Sequence, residues 1–91
     1  MPISYPSAPV AQATTDTHLV KRLWQGDLDA MSALYDRYSG LVYTIALRSL
    51  GEVTSAEDLT QDVFMILMNR RTYNPNRGAL SSYLSMLTRS R

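Results

Sequence analysis

Residues 55–71 read SAEDLTQDVFMILMNRR, and this stretch decides the fold because its apolar residues repeat at helical spacing. At 100° of rotation per residue, five of them fall within one arc of about 100°, the width of a core-facing helix stripe. These five are Ala56, Leu59, Val63, Ile66 and Leu67. Phe64 lies at the flank of the arc, and we expect it to be buried as well. The pattern predicts a helix over residues 55–71 with one face in the core.

The opposite side of this helix carries carboxylates and amides around one outward methionine. The residues on it are Asp58, Gln61, Asp62, Met65 and Asn69. Such a mixed surface is suited to a protein partner, because a flexible methionine fits an irregular contact and the polar groups ring it. An ordinary solvated helix face that carries one stray methionine fits the same pattern.

Two further helices are predicted before this one. The first begins after an N-cap at Thr15 or Asp16 and ends at Gly26, and the second begins after Asp27 and runs to about Leu50. Glycine at position 51 is the left-handed stop of the second helix. The apolar stripe predicted along the second helix is Met31, Leu34, Tyr35, Tyr38, Leu41, Val42 and Ile45.

A capping box of Thr54 and Glu57 is predicted at the start of the third helix. After a loop marked by Asn74, Pro75 and Gly78, a fourth helix is predicted from the spacing of Leu80, Tyr83, Leu84 and Leu87. Neither strand alternation nor an internal repeat is visible. We therefore predict an all-α fold, a compact bundle of about four helices.

Composition bounds the organisation of the chain. Residues 1–15 are rich in Pro, Ala, Ser and Thr and are predicted to be a flexible tail, while residues 16–91 form one small helical domain. The fourth helix pattern runs into Arg91 without a stop signal, so we expect the chain to be part of a longer protein. The absence of cysteine fits a reducing cytoplasm, and the absence of a long apolar run argues against membrane insertion.

Charge is divided unevenly along the chain. Residues 1–69 hold all eight acidic residues, whereas residues 70–91 hold five of the nine basic residues and no acid. Arginines could neutralise a phosphate backbone, amides could contact base edges, and aromatic rings could stack on an unpaired base. The residues expected to contact nucleic acid are Arg70, Arg71, Tyr73, Asn74, Asn76, Arg77, Tyr83, Arg89 and Arg91.

Of the two tyrosines, Tyr73 lies in the loop and is the better stacking candidate, because Tyr83 falls on the apolar stripe of the fourth helix. A loop cannot enter a duplex major groove as a recognition helix does, so the segment is better suited to single-stranded or flipped-out bases.

Catalysis and metal binding are not indicated. The only histidine, His18, has no second histidine at metal-ligand spacing, and the sequence contains neither a glycine-rich phosphate loop nor a nucleophile elbow. We predict no enzyme activity, no metal site and no cofactor.

The segments AEDLTQDVFMILMNR at 56–70, YNPNRGALSSYL at 73–84 and LTRSR at 87–91 resemble region 2 of bacterial RNA polymerase sigma factors, in the extracytoplasmic-function (ECF) group of the sigma-70 family. The resemblance covers roughly residues 17–91. It implies that the acidic and amide face of the third helix docks on the β′ clamp helices of RNA polymerase. It also implies that the loop and the fourth helix capture the non-template strand of the −10 promoter element in the bacterial cytoplasm, at the nucleoid. An anti-sigma factor is a further implied partner.

The chain departs from the family pattern at three positions. Ser81 stands where the family often has an arginine, Tyr83 replaces a tryptophan, and Met68 stands where an aromatic residue is common. The family's second domain, region 4, is absent from these 91 residues. Two other functions remain open: a helical domain held by an anti-sigma factor without DNA binding of its own, and a helix-turn-helix regulator that binds duplex DNA.

Overall fold

The computed structural model describes residues 15–91 and confirms the all-α prediction. Four helices follow one another along the chain: α1 (Asp16–Trp24), α2 (Leu28–Leu50), α3 (Val53–Arg70) and α4 (Leu80–Ser90). No strand occurs within residues 15–91. Of the tail predicted at 1–15, residues 1–14 lie outside the described residues, and Thr15 is the N-cap of α1.

The predicted signals at the ends of α1 and α2 are confirmed. The Thr15 hydroxyl accepts a hydrogen bond from the backbone N–H of His18 at 3.1 Å, so Thr15 is the N-cap of α1. Asp27 caps α2 by accepting from the N–H of Asp29 at 3.0 Å. Gly51 ends α2 in the left-handed conformation with φ 71°, and its N–H donates to the Leu47 carbonyl at 2.8 Å.

The predicted capping box of α3 is wrong by two residues. The N-cap is Glu52, whose carboxylate accepts from the backbone N–H groups of Ser55 at 2.8 Å and Thr54 at 3.1 Å. A glutamate reaches both donors because its side chain is long enough to fold back over the first turn, and its charge suits the positive end of the helix dipole. The Ser55 hydroxyl also donates to this carboxylate at 2.6 Å, and this bond, followed by the two backbone bonds, lowers the pKa of Glu52 below its usual value.

Helix α2 is central and packs against each of the other three helices. Its buried row consists of every fourth residue: Ala30, Leu34, Val42 and Ala46 are fully buried, and Tyr38 is partly buried. The predicted stripe is therefore confirmed at Leu34 and Val42, but it left out Ala30 and Ala46. It was also too wide, because Tyr35 and Leu41 are 40% and 39% exposed.

The predicted core face of α3 is confirmed, since every residue assigned to it is buried. The buried residues are Ala56, Leu59, Val63, Phe64, Ile66 and Leu67. In α4, Leu80, Leu84 and Leu87 are buried as predicted. Two threonines are also enclosed, and their hydroxyls donate to carbonyls one turn back: Thr60 to Ala56 at 2.8 Å and Thr88 to Leu84 at 2.7 Å. No buried side-chain polar atom within the described residues lacks a partner.

A polar cluster ties the start of α1 to the middle of α2. Arg37 pairs with the Asp16 carboxylate at 2.7 Å, and the Tyr38 hydroxyl donates to the same carboxylate. Burial, followed by the hydrogen bond to Asp16, raises the pKa of Tyr38 to about 12. The cluster holds α1 against α2 at the end where the described chain begins.

Candidate nucleic-acid and protein interfaces

The outward face of α3 is open to solvent along its whole length. Its five residues are all exposed: Asp58, Gln61, Asp62, Met65 and Asn69. Met65 is 49% exposed and supplies an apolar side chain among these polar ones. The predicted exposure of this face is confirmed, and its binding partner remains a prediction.

Two of the arginines that were expected to contact nucleic acid lie beside this face. Arg70 and Arg91 share a shallow depression of about 260 Å³ with Asp62, Met65, Ile66 and Asn69. The end of α4 thus returns to the outward side of α3, where it adds positive charge to a face that appeared acidic in the sequence. Residues assigned to two different partners therefore meet on one surface.

The segment between α3 and α4 contains a tight turn. The Asn74 side-chain carbonyl accepts from the N–H of Asn76 at 2.9 Å, and the Asn74 backbone carbonyl accepts from the N–H of Arg77 at 3.0 Å. Such an Asx turn fixes the backbone over Asn74–Arg77. All three side chains are exposed at the turn.

The two tyrosines differ in burial from what the sequence suggested. Tyr73 is only 7% exposed, and its hydroxyl donates to the Gly78 carbonyl at 3.1 Å. Its ring packs against that of Tyr83, with the ring centroids 5.3 Å apart. Tyr83 is partly exposed, and its hydroxyl shares a hydrogen bond with the Thr72 hydroxyl. The expectation that Tyr73 offers the freer ring is therefore wrong, because the loop folds back and places Tyr73 over the core.

The turn and α4 together enclose a cleft of about 470 Å³. Its lining combines polar loop residues with an apolar wall from α4: Thr72, Tyr73, Asn74, Arg77, Gly78, Ala79, Ser82, Tyr83, Met86 and Leu87. The guanidinium of Arg77, the amide of Asn74 and the ring of Tyr83 therefore lie around one concave surface. This combination offers a cation, an amide and an aromatic face to a flat, anionic ligand.

Met86 and Ser82 belong to this cleft and were not singled out from the sequence. Met86 lies one turn beyond Tyr83 on α4 and is 52% exposed. The signal was present in the spacing, because residues three apart on a helix share a face. It could be recognised only once the loop was known to cover that face.

The remaining arginines have separate environments. Arg71 donates to the backbone carbonyl of Trp24 at 2.9 Å, and Arg89 lies in a groove with Leu41 between α2 and α4. Among residues 15–91 the ion pairs are Arg22 with Asp27 and Arg37 with Asp16, so no arginine after residue 69 has a carboxylate within 4.0 Å. The basic charge is therefore unpaired, but it is spread over several surfaces.

The described residues contain no group of three or more His, Cys, Asp or Glu side chains that could hold a metal ion. None of the four helices is long and apolar enough to cross a membrane.

Comparison with known proteins identifies the family. The family model for sigma-70 region 2 matches residues 34–91. The chain is 32% identical over 80 residues to the ECF RNA polymerase sigma factor SigK of Mycobacterium sp. (strain KMS), which covers 86% of this chain and 42% of that protein. It is 40% identical over 52 residues to the ECF sigma factor BldN of Streptomyces coelicolor, covering 57% of this chain and 20% of BldN.

A third relative is the ECF sigma factor SigW of Bacillus subtilis, with 34% identity over 59 residues, covering 64% of this chain and 32% of SigW. The chain spans less than half the length of these curated relatives. No solved structure gives a significant match. On the strength of the region 2 match, this chain belongs to the sigma-70 family and is a region 2 domain of the ECF group of RNA polymerase sigma factors.

Proposed function

We propose that this domain acts in transcription initiation by gripping RNA polymerase with one surface and capturing single-stranded promoter DNA with another. The observation that carries the proposal is the cleft between the 71–79 loop and α4, which brings Arg77, Asn74 and Tyr83 together. The outward face of α3 shares no residue with this cleft. Both ligands can therefore be held at once.

The cleft has the chemistry needed to hold an unpaired nucleotide. Arg77 supplies a cation for a phosphate, and Tyr83 with Met86 supplies an apolar wall against which a base can stack. The carbonyl oxygen of the Asn74 side chain is occupied by the Asx turn, so its NH₂ group is the part free to donate to a base edge. The ligand we propose is the non-template strand of the −10 promoter element.

Binding energy can drive strand opening without any catalytic step. Extruding a base costs a few kcal/mol, and stacking on an aromatic side chain returns roughly 1–3 kcal/mol per base. Phosphate contacts offset much of the remainder by releasing counterions. We accordingly assign the domain no enzyme activity and no cofactor.

The second surface is the outward face of α3, for which the proposed partner is the β′ clamp helices of the polymerase core. The exposed Met65 would supply the apolar contact, and Asp58, Gln61, Asp62 and Asn69 would supply the polar rim. An anti-sigma factor is a further proposed partner. These partners would place the protein in the bacterial cytoplasm, at the nucleoid.

The DNA assignment is tested by fluorescence anisotropy at two salt concentrations. The probe is a labelled single-stranded DNA pool with a randomised centre, compared with the duplex made by copying that pool. We expect tighter binding to the single strand and an affinity that falls steeply as salt rises. Equal or stronger binding to the duplex would favour a helix-turn-helix regulator. The nine-residue connection between α3 and α4 already argues against that class, whose turn has three or four residues.

The two surfaces are separated by reciprocal variants. Asp62→Arg reverses a charge beside Arg70 and Arg91, so it should abolish pull-down of the β′ clamp helices while leaving oligonucleotide binding intact. Arg77→Ala combined with Asn74→Ala should do the opposite. If the clamp helices are retained by Asp62→Arg, the docking face is assigned wrongly. If no oligonucleotide binds, a domain that only binds an anti-sigma factor becomes the better account.

A further inference from the structure

Two helix ends meet beside the loop that lines the cleft. Helix α1 ends in a pattern in which Gly26 donates to the Leu23 carbonyl at 2.9 Å and Asp27 donates to the Arg22 carbonyl at 3.0 Å. This Schellman arrangement satisfies the carbonyls two and three positions from the end of the helix. It leaves the carbonyl of Trp24, the last helical residue, at the negative end of the helix dipole.

Arg71 and Trp24 cap each other's helices. The Arg71 guanidinium donates to the Trp24 carbonyl at 2.9 Å, while the indole Nε1–H of Trp24 donates to the carbonyl of Leu67 at 2.9 Å. Leu67 supplies one of the four carbonyls of α3 that lie within its final turn. Each side chain thus satisfies a terminal carbonyl on the helix of the other, across 43 to 47 residues of sequence. We call this pair of hydrogen bonds the reciprocal cap.

The reciprocal cap lies where the chain leaves α3. Arg71 has φ 55°, and within residues 15–91 it is the one residue other than glycine with positive φ. The left-handed conformation is unfavourable for a residue with a Cβ, so a local interaction must hold it there. The bond from Arg71 to Trp24 is such an interaction. Two residues later Tyr73 enters the core and bonds Gly78, so the direction set at Arg71 determines where the loop places Asn74 and Arg77.

We propose that the reciprocal cap is a positioning device for the nucleic-acid cleft, and that Arg71 acts through the loop and not as a phosphate contact. This inference rests on the proposed function of the cleft. It assigns a role to Trp24, which lies on α1 and lines no part of the cleft. It also separates Arg71 from Arg77, which faces the cleft directly.

Loosening the cap lets the loop leave the binding-competent arrangement, and the apparent affinity falls in proportion to the competent fraction. Trp24→Phe keeps an aromatic ring and removes only the indole donor. Arg71→Asn removes the guanidinium but keeps a residue that tolerates the left-handed conformation. The net value of one hydrogen bond sets the largest loss in single-strand affinity for each variant at about tenfold. The double variant should lose less than the product of the two single losses, because either change breaks the same device.

The experiment measures anisotropy of the single-stranded randomised pool over a range of salt, with Arg48→Asn as a control that removes the same charge from the exposed end of α2. A direct phosphate contact contributes about 0.7 to the slope of log affinity against log salt for single strands. We expect the slope of log affinity against log salt to be the same in Arg71→Asn as in the Arg48→Asn control. We expect Trp24→Phe to weaken binding although the charge of the chain is unchanged. Both variants should still pull down the β′ clamp helices. Trp24 is the single tryptophan of the chain, so its one indole N–H signal should also exchange faster with solvent in Arg71→Asn.

Trp24→Phe binding as tightly as the unmodified chain would overturn the inference, as would a slope reduced by about 0.7 in Arg71→Asn relative to Arg48→Asn. Either result would leave the proposed function in place, because the unmodified chain would still bind the single strand. Failure of the unmodified chain to bind would instead remove the proposed function and the inference together.

Discussion

The structure reverses the ranking of the two tyrosines, and this reversal makes a quantitative prediction about the pair Tyr83→Leu and Tyr73→Leu. Tyr83 is partly exposed and lines the cleft, so replacing its ring removes a stacking surface. Loss of aromatic stacking is worth about 1–3 kcal/mol per base, which corresponds to roughly 5- to 140-fold in affinity. We expect Tyr83→Leu to lose this affinity. It also ends the ring contact with Tyr73 and the hydrogen bond to Thr72, so its effect on thermal stability is smaller than that of Tyr73→Leu only because the Tyr83 ring is less buried.

Tyr73→Leu should mainly reduce stability. The ring of Tyr73 is 7% exposed, and the substitution removes its contact with the Tyr83 ring and its hydrogen bond to the Gly78 carbonyl. An aromatic pair and a hydrogen bond are each worth about 0.5–1.5 kcal/mol, so the free energy of unfolding should fall by about 1–3 kcal/mol. For a domain of this size that corresponds to a fall in Tm of about 5 to 20 °C.

The assay pairs Tm from circular dichroism with anisotropy of the single-stranded pool, measured well below both Tm values. Tyr43→Leu is the matched control, because Tyr43 is a partly buried tyrosine that lines a different groove on α2. The reasoning is refuted if Tyr83→Leu binds like the unmodified chain while Tyr73→Leu loses binding at an unchanged Tm. That result would mean that Tyr73 leaves the core to meet the base.

Three further predictions concern the scaffold. Gly40→Ala should raise the free energy of unfolding, measured by denaturant titration, by about 0.5–1 kcal/mol, because alanine is favoured over glycine within a helix. The added Cβ meets nothing within 4 Å, so a loss of stability would contradict this open geometry. Because the pKa of Glu52 is lowered in the folded state, the stability from its cap is present above the unfolded pKa of about 4.5 and is lost as pH falls through the folded pKa. The difference in unfolding free energy between the unmodified chain and Glu52→Gln should therefore shrink below pH 4.5. A difference that stays constant with pH would show that the carboxylate charge is irrelevant. Tyr38, whose pKa is raised to about 12, should contribute a tyrosinate absorbance step at high pH that Tyr38→Phe removes. Its contribution to the unfolding free energy should be lost as pH rises from 10 to 12. An absorbance titration that is unaltered in Tyr38→Phe would contradict the assignment.

Local interactions explain why so much of the fold was predictable from the sequence. The caps at Thr15, Asp27 and Gly51 involve residues within four positions of one another, and the core face of α3 follows from helical periodicity alone. The exposure of the α3 outward face follows from the same periodicity. The miss at Glu52 was also local, because two residues could each have supplied an acceptor and the longer side chain reached the donors.

The sequence by itself determined four helices, the core face of α3, the centre of the buried row of α2, and a basic loop between α3 and α4. Only the tertiary structure decided where the side chains of that loop lie: Tyr73 enters the core, Arg71 bonds a carbonyl 47 residues away, and Arg91 lies beside Asp62. The physical reason is that periodicity and capping act between residues a few positions apart. The partner of a long side chain, in contrast, is whichever distant group the packing of the helices places within hydrogen-bond distance, about 3 Å. The sequence therefore gives the number of arginines in this segment, and the fold decides that Arg77 lines the cleft while Arg71 bonds a helix end.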